Sequence, residues 1–252
     1  DPVTRIREDY LRILRFFRFY AWYGRDVPDA AAMAACAAEV GGLGRLSAER
    51  VSKELMKLLA APDPRRAVAA MEATGVLARI LPEADAGAPF QRLCAMNRDP
   101  VLRLAALVPA DAALLRGLAG RLRLSNAVRD RLVAGAEASK TVQPDMSDRA
   151  ARAAIYRLGA EAVQDALVRQ RAAGAGATAD DGRLDVLITG WTPPVLPVGG
   201  RDLARLGVAP GPETGRLLKA FEAGWIADDF PADGHEARLR ALLDPALSPP
   251  PA

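Results

Sequence analysis

Residues 5–19, RIREDYLRILRFFRF, carry more of this chain's reading than any other stretch. On a helix, positions three and four apart lie on one face. The spacing predicts a single helix over the first two dozen residues, with Arg5, Glu8, Asp9, Arg12 and Arg15 in one polar stripe. Ile6, Tyr10, Ile13, Leu14, Phe17 and Ala21 make the opposing apolar stripe. Glu8 and Arg12, at i and i+4, form an ordinary helix ion pair that stabilises by about 0.2–0.5 kcal/mol. Their chemistry reaches further. A guanidinium donates in a planar fork and a carboxylate only accepts, so the two side by side can read the edge of a nucleobase.

Composition around this stretch predicts an all-α protein. Half of the 252 residues are hydrophobic, but Ala and Leu dominate and β-branched runs are scarce, which favours helices over sheets. A chain of this length buries a substantial core in one or two domains. Cys36 and Cys94 each sit in an apolar helical context and read as core residues rather than a disulfide. With the single histidine, His235, these two separated cysteines do not make a zinc site. No apolar stretch nears the about 18 residues of a membrane span. No signal segment opens the sequence, so a cytoplasmic location and no membrane partner are expected. The net charge is only +3, so the distribution of charge says more than its sum. All but four of the 34 basic residues are arginine. Arg5, Arg7, Arg12, Arg15, Arg18 and Arg25 crowd one end, and Arg121, Arg123, Arg129 and Arg131 gather at a later helix start. Clustered arginines suit phosphate contacts and stacking on exposed bases, although the second cluster reads equally well as a solvated face.

The remainder is a string of helices with brief punctuation. Asp29 caps an alanine-rich helix that ends at Gly41-Gly42, and Ser47 caps another that stops before Pro62. Val51, Leu55, Leu58 and Leu59 form the buried stripe of that second helix. Further helices are predicted from Asp63-Pro64 to Gly75, from Pro100 to about Pro109, over 111–122, from Ser125 to about Ala138, from Ser147 to Gly159, and over 161–173. AGAGATADDG, residues 173–182, reads as a linker, TPPVLPVGG, residues 192–200, as a second break, and the final SPPPA as disordered. In GVAPGPETGRLLK, residues 207–219, Pro212 opens a helix whose free amides suit capping or an anion. That arrangement looks like half of a helix-hairpin-helix.

Three blocks, taken in order, resemble one known family. Residues 5–19 fit its pattern R-[IV]-x-E-D-x-x-R-x-L-R-x-x-R-F at every defining position. Residues 46–59, LSAERVSKELMKLL, look like its E-R-[IV]-x-x-E-L-x-K-L-L element, and residues 197–218, PVGGRDLARLGVAPGPETGRLL, like its late P-[VI]-x-G-x-D-L-x-x-L-G-x-x-P-G-P-x-x-G-x-x-L element. The family is that of class II tRNA nucleotidyltransferases, the CCA-adding enzymes, together with the bacterial poly(A) polymerases. The resemblance implies a neck domain over 1–75 with the base-selecting helix, a helical body over 76–175 and an RNA-contacting helical tail over 176–252. Within the neck it implies a nucleotide-binding set of Glu8, Asp9, Arg12 and Arg15, in which Asp9 and Arg12 hydrogen-bond the base of CTP or ATP and Glu8 holds the arginine. Arg50 and Glu54 would pair and brace the neck. Arg201 and Arg216 would touch the tRNA backbone.

The family's catalytic head carries a G-G-x-V-R-D turn and a D-x-D pair for two magnesium ions, and neither pattern occurs here. Asp180-Asp181 and Asp228-Asp229 are the nearest carboxylate pairs, and both read as capping or solvated residues. The expectation is therefore a selecting and RNA-gripping portion with no catalytic residue and no metal site. Its partners would be tRNA, ATP, CTP and a head domain of the same polypeptide that binds Mg2+. The implied activity of the complete protein is addition of C, C and A to tRNA 3′ ends, this chain alone being inactive. The alternatives are poly(A) addition by the same elements and a non-catalytic helical RNA-binding module.

Overall fold

A computed structural model of the chain describes residues 1–174 and 182–243, and among these the secondary structure is helical, without strands. The linker expected at 173–182, with Asp180-Asp181, and the terminal SPPPA fall wholly or mostly outside the described residues.

The chain divides into two compact units. The first comprises Asp1–Met146 and Ala160–Gly182, the second Ser147–Gly159 and Arg183–Ala252. In the first unit, α1 (Pro2–Glu8) and α2 (Leu11–Tyr23) are followed by α3 (Ala30–Ala38), a 3-10 turn (Val40–Arg45), α4 (Ala48–Leu59), α5 (Arg65–Ala73) and α6 (Val76–Ile80). Then come α7 (Ala88–Met96), α8 (Pro100–Ala106), α9 (Ala112–Arg121) and α10 (Asn126–Ala138). The chain passes through α11 (Asp148–Leu158) in the second unit and returns to the first as α12 (Ala160–Ala173). The second unit is completed by α13 (Arg183–Gly190), α14 (Gly200–Arg205), α15 (Pro212–Ala227) and α16 (His235–Leu243).

Local chemistry explains most boundaries. Asp29, Ser47, Asp99, Asp111, Ser125 and Ser147 each accept a backbone N–H at the start of their helices. Gly75, at φ 73°, separates α5 from α6 in a left-handed conformation that only glycine adopts cheaply. The predicted single opening helix is corrected: it breaks at Asp9, whose backbone is extended at φ −157°, ψ 107°. The Asp9 carboxylate accepts the Leu11 N–H at 3.1 Å. Aspartate competes for nearby backbone donors and so favours a cap over a helix interior. The corner lets α1 bury Ile6 while α2 buries Leu11, Ile13, Leu14 and Phe17.

The core of the first unit runs from these residues through Leu55, Leu58 and Leu59 to Phe90 and Leu115. There α2 packs on α4 and α5, and α12 packs on α7 and α10. The second unit has its own core around Leu203, Leu217, Phe221, Trp225 and Leu239. No helix among the described residues is long and apolar enough to cross a membrane.

Candidate functional site

The polar residues of the opening stretch gather at the α1–α2 corner. Arg12 donates from Nη1 to Glu8 Oε2 at 2.5 Å and also to the Arg5 carbonyl, while Arg5 donates to the same Glu8 oxygen at 2.7 Å. Glu8 is thus held between two guanidinium groups. The Arg12 hydrogen bond is the main reason its pKa lies below the usual carboxylate value. The other donors of Arg12, Nε and Nη2, have no partner among the described residues. Arg15 is exposed, makes no hydrogen bond or ion pair among the described residues, and lies close enough to help lower the Asp9 pKa.

Asp9 does not pair with Arg12. Its two oxygens accept from Arg50 Nη2 at 3.1 and 2.9 Å. Burial pushes the Asp9 pKa up, but the Leu11 N–H and Arg50 outweigh it and the net shift is downward. The Tyr10 ring beside it packs against Gly42, where an added Cβ would sit 1.9 Å from the ring, so glycine is what admits the tyrosine. Arg45 lies over that ring, 5.4 Å from its centroid.

The implied pairing of Arg50 with Glu54 is also corrected. On α4 the two residues reach different partners: Arg50 takes Asp9, and the buried Glu54 accepts from Arg18 Nε at 2.6 Å. An i,i+4 spacing permits a pair, but Glu54 lies on the face of α4 turned to α2, whereas the longer Arg50 reaches the corner. Arg18, which the sequence presented only as one arginine among many, is the buried acid's counter-ion. A glutamate within an apolar helix stripe was the signal that some cation had to meet it.

The second arginine cluster is largely engaged in pairs with residues of this chain. Arg131 donates two hydrogen bonds to Asp165 and pairs with Asp99 at 2.7 Å, Arg121 reaches Glu83 and the Ile80 carbonyl, and Arg129 pairs with Asp130. Arg123 alone of the four is exposed without a partner among the described residues. In the second unit, α14 ends with Gly207 at φ 87° and the Val208 N–H returning to the Leu203 carbonyl, so the turn into α15 is a glycine-terminated cap. Arg201 is exposed without an ion pair among the described residues, whereas Arg216 is clasped by Glu213 through contacts of 2.8 and 2.5 Å. Asp228 and Asp229, read as capping or solvated, are ion-paired with Arg238 and Arg152.

Among the described residues no group of three or more His, Cys, Asp or Glu side chains could hold a metal ion. Cys36 and Cys94 are both free and buried, and burial pushes each thiol up to about 11.

Comparison with known proteins adds two findings. Residues 29–87 match the family described as the probable RNA- and SrmB-binding site of polymerase A. The fold matches solved structures of CCA-adding enzymes: one described as a complex with CTP (14% identity, TM-score 0.64) and one with ATP (16%, 0.66), each covering 98% of this chain and 62% of that one. A third, the Thermotoga maritima CCA-adding enzyme complexed with tRNA, gives 16% identity and a TM-score of 0.63 over 98% of this chain and 63% of that one. The chain therefore spans less than two thirds of the length of these structures. No curated protein matches the sequence at a significant level.

Proposed function

We infer, for a chain built on the helical fold of the CCA-adding enzymes and carrying the RNA-binding segment of polymerase A, that it is the nucleotide-selecting and RNA-gripping portion of a CCA-adding tRNA nucleotidyltransferase. The observation that carries this reading is the α1–α2 corner, where Asp9 and Arg12 lie three residues apart and Arg12 Nε and Nη2 have no partner among the described residues. Cytosine and adenine each set an exocyclic amino donor beside a ring-nitrogen acceptor, while uracil and guanine set a carbonyl beside an N–H. A carboxylate that accepts next to a guanidinium that donates matches the first pair and opposes the second. Glu8 fixes Arg12 from behind, Arg50 fixes Asp9, and Arg15 adds positive charge where a triphosphate or RNA strand would lie. Transfer chemistry, with the magnesium that would polarise the triphosphate, belongs in this reading to a part of the complete protein outside these residues. Tail contacts to the tRNA backbone fall to Arg201 and, once released from Glu213, Arg216.

The test uses the complete protein with tRNA lacking its 3′ CCA, with CTP, ATP and magnesium, followed by sequencing of the product ends. Ends that stop after C-C-A support the reading. A run of A favours poly(A) addition, the second reading, to which the matched segment at 29–87 gives independent weight. No extension leaves an RNA-binding module. Arg12→Ala should lower the preference for CTP and ATP over UTP and GTP about tenfold or more, with tRNA affinity changed far less. Equal losses on all four nucleotides would reduce Arg12 to a strut.

A further inference from the structure

Beyond the corner, α2 continues outward with one face that the other described helices leave largely exposed. Arg12, Arg15, Phe19, Trp22 and Tyr23 fall at i, i+3, i+7, i+10 and i+11, within about a third of the helix circumference. Phe19 is 49% exposed, Trp22 41% and Tyr23 71%, an unusual concentration of bare aromatic surface on one helix. Phe19 and Tyr23 are stacked with centroids 6.2 Å apart and planes 29° from parallel, and the Arg18 guanidinium lies 4.1 Å from the Phe19 centroid. Trp22 is fixed by its Nε1–H on the Lys57 carbonyl at 2.9 Å, and Arg18 by Glu54. An open depression of about 430 Å³ lies between Phe16, Phe19, Tyr20 and Tyr23 on one side and residues 24–29, with Arg25, Asp26 and Asp29, on the other. Arg15 and Arg25, at either end of the aromatic surface, are exposed and hold no ion pair among the described residues. Asp26 is the acidic residue nearby that caps nothing, since the Asp29 carboxylate is engaged by the Ala32 N–H.

We propose that this face of α2 is a stacking track for single-stranded RNA, with the stacked Phe19–Tyr23 pair offering its open ring surface, mostly that of Tyr23, to bases and Arg15 and Arg25 taking phosphates. Adjacent aromatic planes flanked by arginines that hold no ion pair among the described residues are what sequence-tolerant single-strand binding requires, since every base has a stacking face and every linkage a charge. The track runs about 16 Å from Arg12 to Tyr23 at 1.5 Å per residue, room for several stacked nucleotides leading away from the selecting corner. The proposal rests on the reading of this chain as RNA-handling, but not on which nucleotide is added.

The experiment is a titration of the complete protein with a fluorescently labelled single-stranded RNA dodecamer at several salt concentrations. It compares wild type with Phe19→Ala/Tyr23→Ala, Phe19→Leu/Tyr23→Leu, Phe19→Trp/Tyr23→Trp and Arg15→Gln/Arg25→Gln. Expected are a loss of about tenfold or more in the alanine and leucine pairs, retained affinity in the tryptophan pair, and a flatter salt dependence only in the glutamine pair. Wild-type affinity in the leucine pair would overturn the proposal, because stacking would then be dispensable. So would unchanged RNA affinity in the alanine pair coupled to a lowered melting temperature, which would mark the face as one covered by another part of the polypeptide. Nucleotide preference is measured on the same variants. If it changes in Arg12→Ala and not in these, the two sites are separate, and if Arg12→Ala leaves it unchanged while these lose RNA, only the selection reading fails.

Discussion

A single arginine shows how far side-chain chemistry can depart from its surface habit. Arg103, on α8, is fully buried, yet it hydrogen-bonds no carboxylate among the described residues. It donates to the carbonyls of Leu59 at 2.6 Å, Ala61 at 2.5 Å and Pro62 at 3.2 Å, and to those of Cys94 at 3.4 Å and Asn97 at 2.9 Å. These oxygens lie at or just beyond the C-terminal ends of α4 and α7, where carbonyls lack helical partners and the dipole is negative. One guanidinium therefore closes two helix ends. Burial pulls its pKa down, and the five acceptors compensate the lost hydration. Arg103→Met keeps the volume and removes every donor. Unfolding in urea should show a loss of about 3–5 kcal/mol, and a loss under about 1 kcal/mol would mean that water replaces the guanidinium at little cost.

At the scale of elements, ion pairs decide which helices are tied together. In the second unit, Arg152 on α11 grips Asp229, just after α15, with Nε at 2.8 Å from one oxygen and Nη2 at 2.5 Å from the other. Asp229 and Phe230 hold left-handed backbone at φ 64° and 60°, which turns the Phe230 ring onto Tyr156, Trp191 and Trp225. The Arg152 hydrogen bond is the largest cause of an Asp229 pKa below the usual carboxylate value. A depressed folded pKa gives stability that is present above the unfolded value, about 3.9, and lost as pH falls through the folded one. Thermal melts of wild type and Asp229→Asn should therefore differ most near neutrality and converge below about pH 3.9. A constant difference across that range would show that the carboxylate charge is not what fastens the turn.

For the whole molecule, the division into two units with separate cores has a thermodynamic consequence. Trp22 lies in the first unit, Trp191 and Trp225 in the second. Phe221 is fully buried in the second core, and Phe221→Ala should cost that unit about 3–5 kcal/mol. The unfolding seen through Trp191 and Trp225 should shift while that seen through Trp22 stays within about 0.5 kcal/mol. Transitions that move together would mean that the units fold as one.

Much of this was legible in the amino-acid order alone. Helical class, the caps at Asp29, Ser47, Ser125 and Ser147, the buried stripe Val51, Leu55, Leu58 and Leu59, and the likeness to one enzyme family depend on spacing and on groups a few residues apart. The break at Asp9 was not legible, because an aspartate inside an i,i+4 pattern suits a cap and an exposed helix face equally. Nor were the partners: Asp9 with Arg50, Glu54 with Arg18 and Arg131 with Asp165 join residues 34 to 41 positions apart. Sequence spacing says which charges can pair within a turn or two of helix, since local geometry fixes those distances. Which of thirty-four cations meets a given buried carboxylate is decided only when helices pack and the cost of an unpaired charge selects the neighbour within reach.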